Sequence, residues 1–125
     1  MKYICFGYLD TRRWAAFSQS EQNAMIDECL TYDDILKKNG HWVSGEGLQG
    51  PENSTTLRYQ NGKVSVTDGP YAETKELLGG LLILEARDLN QAIQLPGTKM
   101  GPWEVRPVED MSEMIRESER RRSAP

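Results

Sequence analysis

Gly79-Gly80-Leu81-Leu82-Ile83-Leu84 decides how the rest of the chain is read. Two glycines open a short, unbroken apolar run. A run of this kind is typical of a central strand covered on both faces. Upstream, Asp68-Gly69-Pro70 breaks whatever precedes it, because proline donates no backbone hydrogen bond and glycine permits a turn. Before that break, Asn61-Gly62 suits a two-residue type I′ turn, in which both residues take positive φ. That turn sets Tyr59 opposite Val64 and Leu57 opposite Val66 on one face of a hairpin, with Arg58 and Ser65 on the other.

Further out, His41 to Leu48 reads as a strand interrupted by Gly45 and Gly47, with Gln49 to Ser54 as a loop. Lys2 to Leu9, rich in aromatic and β-branched residues, reads as the first strand. Ser18-Gln19-Ser20-Glu21 is a capping box that opens a helix running to Lys38. Met25, Cys29, Tyr32 and Leu36 recur at helical spacing, with Leu30 and Ile35 widening the stripe. Asp27, Glu28, Asp33, Lys37 and Lys38 fall to the wet side. Asn39-Gly40 ends the helix. Downstream of Leu84, Asp88 caps a short helix through Leu95, and Trp103 to Arg106 forms the last strand with Trp103 and Val105 inward. Met111 to Arg121 adds a terminal helix capped by Asp110 or Ser112. The order is β-α-β, hairpin, β-α-β. With the hairpin as an insertion, it is the ferredoxin-like split βαβ plan of an α+β domain.

The chain has 125 residues, 38% hydrophobic and 27% charged, with a formal net charge of −4. That length holds one core. An acidic balance argues against nucleic acid as a partner, since phosphate binding needs a basic surface. Arg120-Arg121-Arg122 reads as a solvated tail, with Glu117 four residues before Arg121 as a helix-surface partner. Cys5 and Cys29 lack metal or redox spacing, and a lone His41 completes no zinc set with them. Both read as buried, reduced thiols. No run approaches the roughly 20 apolar residues that span a bilayer, and the N-terminus does not read as a signal peptide. The expectations are no metal, no cofactor, no membrane and a cytoplasmic location.

Asp68-Gly69-Pro70-Tyr71-Ala72-Glu73-Thr74-Lys75-Glu76, followed by Leu78-Gly79-Gly80, closely resembles the signature of DGPF-domain proteins of the YCII-related superfamily. Tyr71 replaces their usual Phe. Gly45-Glu46-Gly47-Leu48 and Glu104-Val105-Arg106-Pro107 extend the likeness, which covers roughly residues 1 to 110. Residues 111–125 then form a C-terminal helix and tail. The resemblance implies a ferredoxin-like domain that pairs through its sheet into a dimeric α/β barrel. Physics agrees, because a sheet with helices on one face leaves the other to be buried against a partner. Two departures stand out. The second helix is several residues short between Ala92 and Pro96. The helix from Ser18 to Lys38 also lacks the histidine that, in related proteins, pairs with the turn aspartate. Only the aspartate, Asp68, carries over.

Each candidate site residue has two readings. Asp68 is a turn residue or, at a strand end beside a cleft, a general base. Glu46, flanked by glycines, marks a bulge or close backbone approach. It is either an ion-pair partner of Arg58 or Lys75, or a ligand contact. Glu73, Lys75 and Glu76 form helix-start salt bridges, or Lys75 binds an anionic substrate. His41 is structural, or the one imidazole available to Asp68. Tyr71 hydrogen-bonds a ligand or fills an apolar niche. Trp14, Trp42 and Trp103 read as core or interface anchors.

Two functions follow. The first is a small homodimeric enzyme or small-molecule binder working without a cofactor, with Asp68, Glu46 and Tyr71 in a cleft. The second is a noncatalytic regulatory partner, because the resemblance links such proteins to extracytoplasmic-function sigma factors.

Overall fold

The computed structural model describes residues 1–72, 74–97 and 101–125. Four strands form one antiparallel sheet: β1 (Lys2–Leu9), β2 (Trp42–Gly47), β5 (Leu77–Glu85) and β6 (Trp103–Pro107), in the order β2-β5-β1-β6. The Leu81–Leu84 run is therefore interior, between β2 and β1. The order is consistent with the ferredoxin-like plan, and the sheet of one chain is open rather than closed into a barrel. The intervening β3 (Thr55–Gln60) and β4 (Lys63–Asp68) pair only with each other, as a separate two-stranded sheet. Their register is the expected one, Leu57 with Val66 and Tyr59 with Val64, around Asn61 (φ 52°) and Gly62 (φ 76°).

The first helix of the chain is one that the sequence reading missed. Asp10 ends β1 and its carboxylate accepts from the amides of Arg12 and Arg13, capping α1 (Thr11–Ala16). The long helix α2 (Gln19–Lys38) starts as expected. Ser18 Oγ accepts from the Glu21 amide at 3.1 Å and Glu21 returns a bond to the Ser18 amide at 3.0 Å. Those bonds hold the Glu21 carboxyl below its ordinary pKa. α3 (Leu89–Ala92) is capped by Asp88 but stops three residues before the expected Leu95. α4 (Ser112–Ser123) begins beside Asp110, whose carboxylate accepts from the Ser112 amide and hydroxyl. On its surface Glu117 meets Arg120, not Arg121.

Helices cover one face of the sheet. Cys5 and Leu84 pack with Leu36 of α2, and Tyr3 and Ala86 with Ala92 of α3. Strand alternation puts Ile4, Phe6, Leu81 and Ile83, paired as Ile4↔Ile83 and Phe6↔Leu81, on the opposite face. None of these four belongs to either buried cluster. The inner stripe of α2 is narrower than the spacing suggested: Leu30 and Ile35 are exposed, whereas Asp33, assigned to the wet side, is half-buried.

Candidate functional site

The inner face of the sheet has a line of small residues running across it. Gly47 of β2 pairs with Gly80 of β5, and Gly80 pairs with Gly7 of β1. Gly7 in turn faces Trp103 of β6. Three successive strands put no side chain of their own into the space between sheet and α2. The space left is a cleft of about 490 Å³. Its side walls are two indoles laid on glycines. A Cβ on Gly7 would stand 2.8 Å from Trp103 Cζ3, and one on Gly45 would overlap the Trp42 ring. At Gly80 the obstacle is backbone, with the Glu46 carbonyl 2.9 Å away. This is the close approach that glycines around Glu46 announced. Trp42 and Trp103 thus do more than anchor a core.

From α2 come Cys29, Tyr32, Asp33 and Lys37. Burial pushes the Asp33 carboxyl above its ordinary pKa; Lys37 opposes the shift and Asp34 adds to it. The Lys37 ammonium lies 4.8 Å from the centroid of the Trp42 ring and 4.0 Å from Asp34 Oδ1. The Tyr32 hydroxyl donates to the Gln94 carbonyl at 3.3 Å. Trp103 Nε1 is buried without an acceptor among the described residues.

Beyond Trp103 lies a second cavity of about 680 Å³ between α1, the start of α2 and the segment around Lys75, with Trp14 and Phe17 in its wall. Their rings meet edge to face at 6.5 Å. Lys75, its side chain 85% exposed, reaches to 4.0 Å from Asp10 Oδ2. No helix starts at Lys75 and Glu76; they form a bend leading into β5. Lys75 therefore pairs with the α1 cap and not with Glu46.

The other expected residues are dispersed. Asp68 ends β4, opposite Thr55 at the open end of the hairpin, and is exposed. Among the described residues no hydrogen bond or ion pair engages its carboxylate. The turn after it is held by Gly69 (φ 107°), whose amide donates to Ser54 and whose carbonyl accepts from the Thr56 hydroxyl at 2.8 Å. Arg58 stacks on Tyr71, with the guanidinium 5.2 Å from the ring centroid, so these two do come together. Glu46 borders the cleft, but alternation turns its side chain to the opposite face from Gly45 and Gly47. His41 lies at the start of β2, where Nδ1 meets the Glu85 carbonyl at 2.8 Å. A carbonyl only accepts, so Nδ1 carries the proton. Glu73 lies outside the described residues.

The glycine cleft was missed because glycines were read one strand at a time, as breaks. Their alignment depends on register. Among the described residues no group of three or more His, Cys, Asp or Glu stands close enough to hold a metal ion, and no helix is long and apolar enough to cross a membrane.

Comparison with known proteins gives two likenesses. An uncharacterized protein of Rhizobium meliloti (strain 1021) is 28% identical over 116 residues, which cover 86% of this chain and 92% of that protein. The YCII-related domain matches residues 1–112, a span that takes in every strand of the sheet, the glycine row and the Asp68 turn. On that match the chain belongs to the YCII-related family.

Proposed function

We propose that this protein is a small-molecule binder that works as a homodimer, with its ligand held in the glycine-floored cleft between α2 and the sheet. The observation that carries the reading is the row Gly47, Gly80 and Gly7 beneath that cleft. Three positions without side chains cost strand stability; the Trp103 ring takes the room over Gly7, and open space remains towards Gly47. The volume falls in the usual range for ligand pockets, roughly 300–1,000 Å³. Paired backbone makes its floor, which suits a site that must hold its shape.

The homodimer is supported by Ile4, Phe6, Leu81 and Ile83 on the face that helices leave free, and by the hairpin. Leu57, Tyr59, Val64 and Val66 of that hairpin are between 59% and 74% exposed. A two-stranded hairpin with a bare apolar face is marginal alone. Pairing through the sheet into an α/β barrel is the assembly that the family resemblance implies. Asp68 lines neither cavity of the single chain, so its proposed role as general base of a cofactor-independent proton transfer belongs to a second site at the dimer seam, apart from this cleft. Its support is a carboxylate that nothing among the described residues occupies.

A thermal-shift screen of small molecules against wild type, Gly47→Phe and Asp68→Asn tests the reading. Nothing lies within 4 Å of a Cβ at Gly47, so a side chain there starts without a clash, and alternation aims it at the cleft. Shifts lost in Gly47→Phe support the cleft, and shifts lost in Asp68→Asn support Asp68. Shifts equal in all three proteins count against both. The noncatalytic regulatory alternative predicts no shift at all.

A further inference from the structure

We infer that the cleft selects flat aromatic molecules that carry a cationic nitrogen, and that Asp33 is the residue that reads that nitrogen. The inference rests on the cleft being a binding site and goes on to name its ligand class and specificity residue.

Flatness comes from the walls. The floor is backbone, and two indoles lie against it over Gly7 and Gly45. A slot bounded by a sheet and aromatic rings accepts a thin ring and refuses a branched aliphatic of equal volume. Indole faces also attract cations.

The charge preference comes from counting the ionisable groups around the slot. On α2 these are Cys29, Tyr32, Asp33 and Lys37; β2 brings Glu46 and β1 brings Tyr8. Lys37 is engaged, over Trp42 and beside Asp34. Glu46 is exposed and alternation turns it to the other face of the sheet. Tyr32 already donates to Gln94. Asp33 is different. It is half-buried in the wall, and among the described residues no hydrogen bond or ion pair engages its carboxylate. A carboxylate partly withdrawn from water, with only the longer-range charge of Lys37 to offset this, is stabilised further by a ligand that supplies charge and N–H donors together.

Three single-ring probes of nearly one shape separate the possibilities: benzamidine (cationic), benzamide (neutral) and benzoate (anionic). Binding is followed by amide chemical shifts of the full chain at neutral pH. The expected result is benzamidine binding at millimolar concentration, with shifts at Gly7, Gly80 and Asp33. Benzamide should bind more weakly and benzoate most weakly. Asp33→Asn should weaken benzamidine by about tenfold or more, the scale of a hydrogen bond to a charged group. Benzoate binding as tightly as benzamidine, an unchanged benzamidine affinity in Asp33→Asn, or no benzamidine binding would overturn the inference. These results leave the cleft itself standing if other ligands are lost in Gly47→Phe. Benzamidine shifts confined to residues outside the cleft, and persisting in Gly47→Phe, would instead sink the cleft reading. The wild-type shift map needs no variant to fold.

Discussion

Gly7 of β1 and Gly80 of β5 stand directly opposite each other in the middle of the sheet, and neither puts a side chain into the space beneath α2. A strand pair that held two branched side chains here would bury them against α2 and fill the space. The chain instead spends its large residues on the flanks, as Trp42 and Trp103, and folds each ring back over a glycine.

The first prediction concerns those flanks. Gly7→Val must displace the Trp103 ring, and Gly45→Val must displace Trp42. Overpacking of this kind costs about 1–3 kcal/mol. Gly47→Ala meets no neighbour, and a strand glycine weakens its strand by roughly 0.5–1 kcal/mol relative to alanine, so this change should be neutral or slightly stabilising. Urea unfolding of the three variants checks the contrast. Equal losses at Gly7 and Gly47 would mean that the indoles do not lean on the sheet as described.

The hairpin permits a local test. Asn61 and Gly62 both take positive φ, and the hairpin shares no strand pairing with the main sheet. Gly62→Val forces a β-branched residue into a left-handed conformation, at a cost of about 1–2 kcal/mol. Because the hairpin is a separate unit, the effect should stay there. Amide exchange should quicken across residues 55–68 while Cys5 and Leu84 keep their protection. Uniform acceleration would show the hairpin and sheet to be one cooperative unit.

Cys5 and Cys29 should behave differently. Cys5 is fully buried, and burial pushes its thiol up to about 11. At pH 8 such a thiol is ionised to about one part in a thousand. A thiol reagent should therefore label half-buried Cys29 first and Cys5 only on unfolding. The same shift has a sign in stability. A folded pKa above the ordinary thiol value of 9.0 contributes stability that is complete below that value and is lost as pH climbs towards 11. Other groups titrate there too, so the readout is the difference between wild type and Cys5→Ala. That difference should shrink across this window.

How much of this was legible in the sequence depends on whether a feature is local. The Asn61-Gly62 turn, the Ser18–Glu21 box and the apolar β5 run are set by residues a few positions apart; the first two form as read, and the third is an interior strand, covered by helices on one face and not on both. The α1 helix was missed because Asp10, the residue after the first strand, was not read as a cap. The α2 stripe was drawn too wide. Leu30 and Ile35 fit the period, but both are exposed, Leu30 at the edge of the cleft. Asp33 was sent to the wet side for its charge, although it lies one turn after Cys29 and faces the same gap. Glu46 and Lys75 were considered as partners because their charges match, and only three-dimensional placement shows Lys75 beside Asp10.

Asp33 supplies the last prediction, because its role in binding and its effect on stability run in opposite directions with pH. Burial raises its pKa, with Lys37 opposing and Asp34 reinforcing. A raised folded pKa means that Asp33 stabilises the fold only while protonated, below its unfolded value. That contribution is lost as pH rises through the folded value. At neutral pH the charged carboxylate is therefore a net cost, and Asp33→Asn should raise the urea midpoint. The gain should vanish on acidification below about pH 4, where the unfolded carboxyl is protonated as well. Benzamidine affinity has the opposite sign. It needs the charged form, so it should weaken as pH falls through the raised pKa, and Asp33→Asn should remove that dependence. A residue that destabilises the fold at the pH where it binds best is kept for what it binds. If Asp33→Asn instead lowers stability at neutral pH, the carboxylate is holding the protein together, and its place in the cleft is structural.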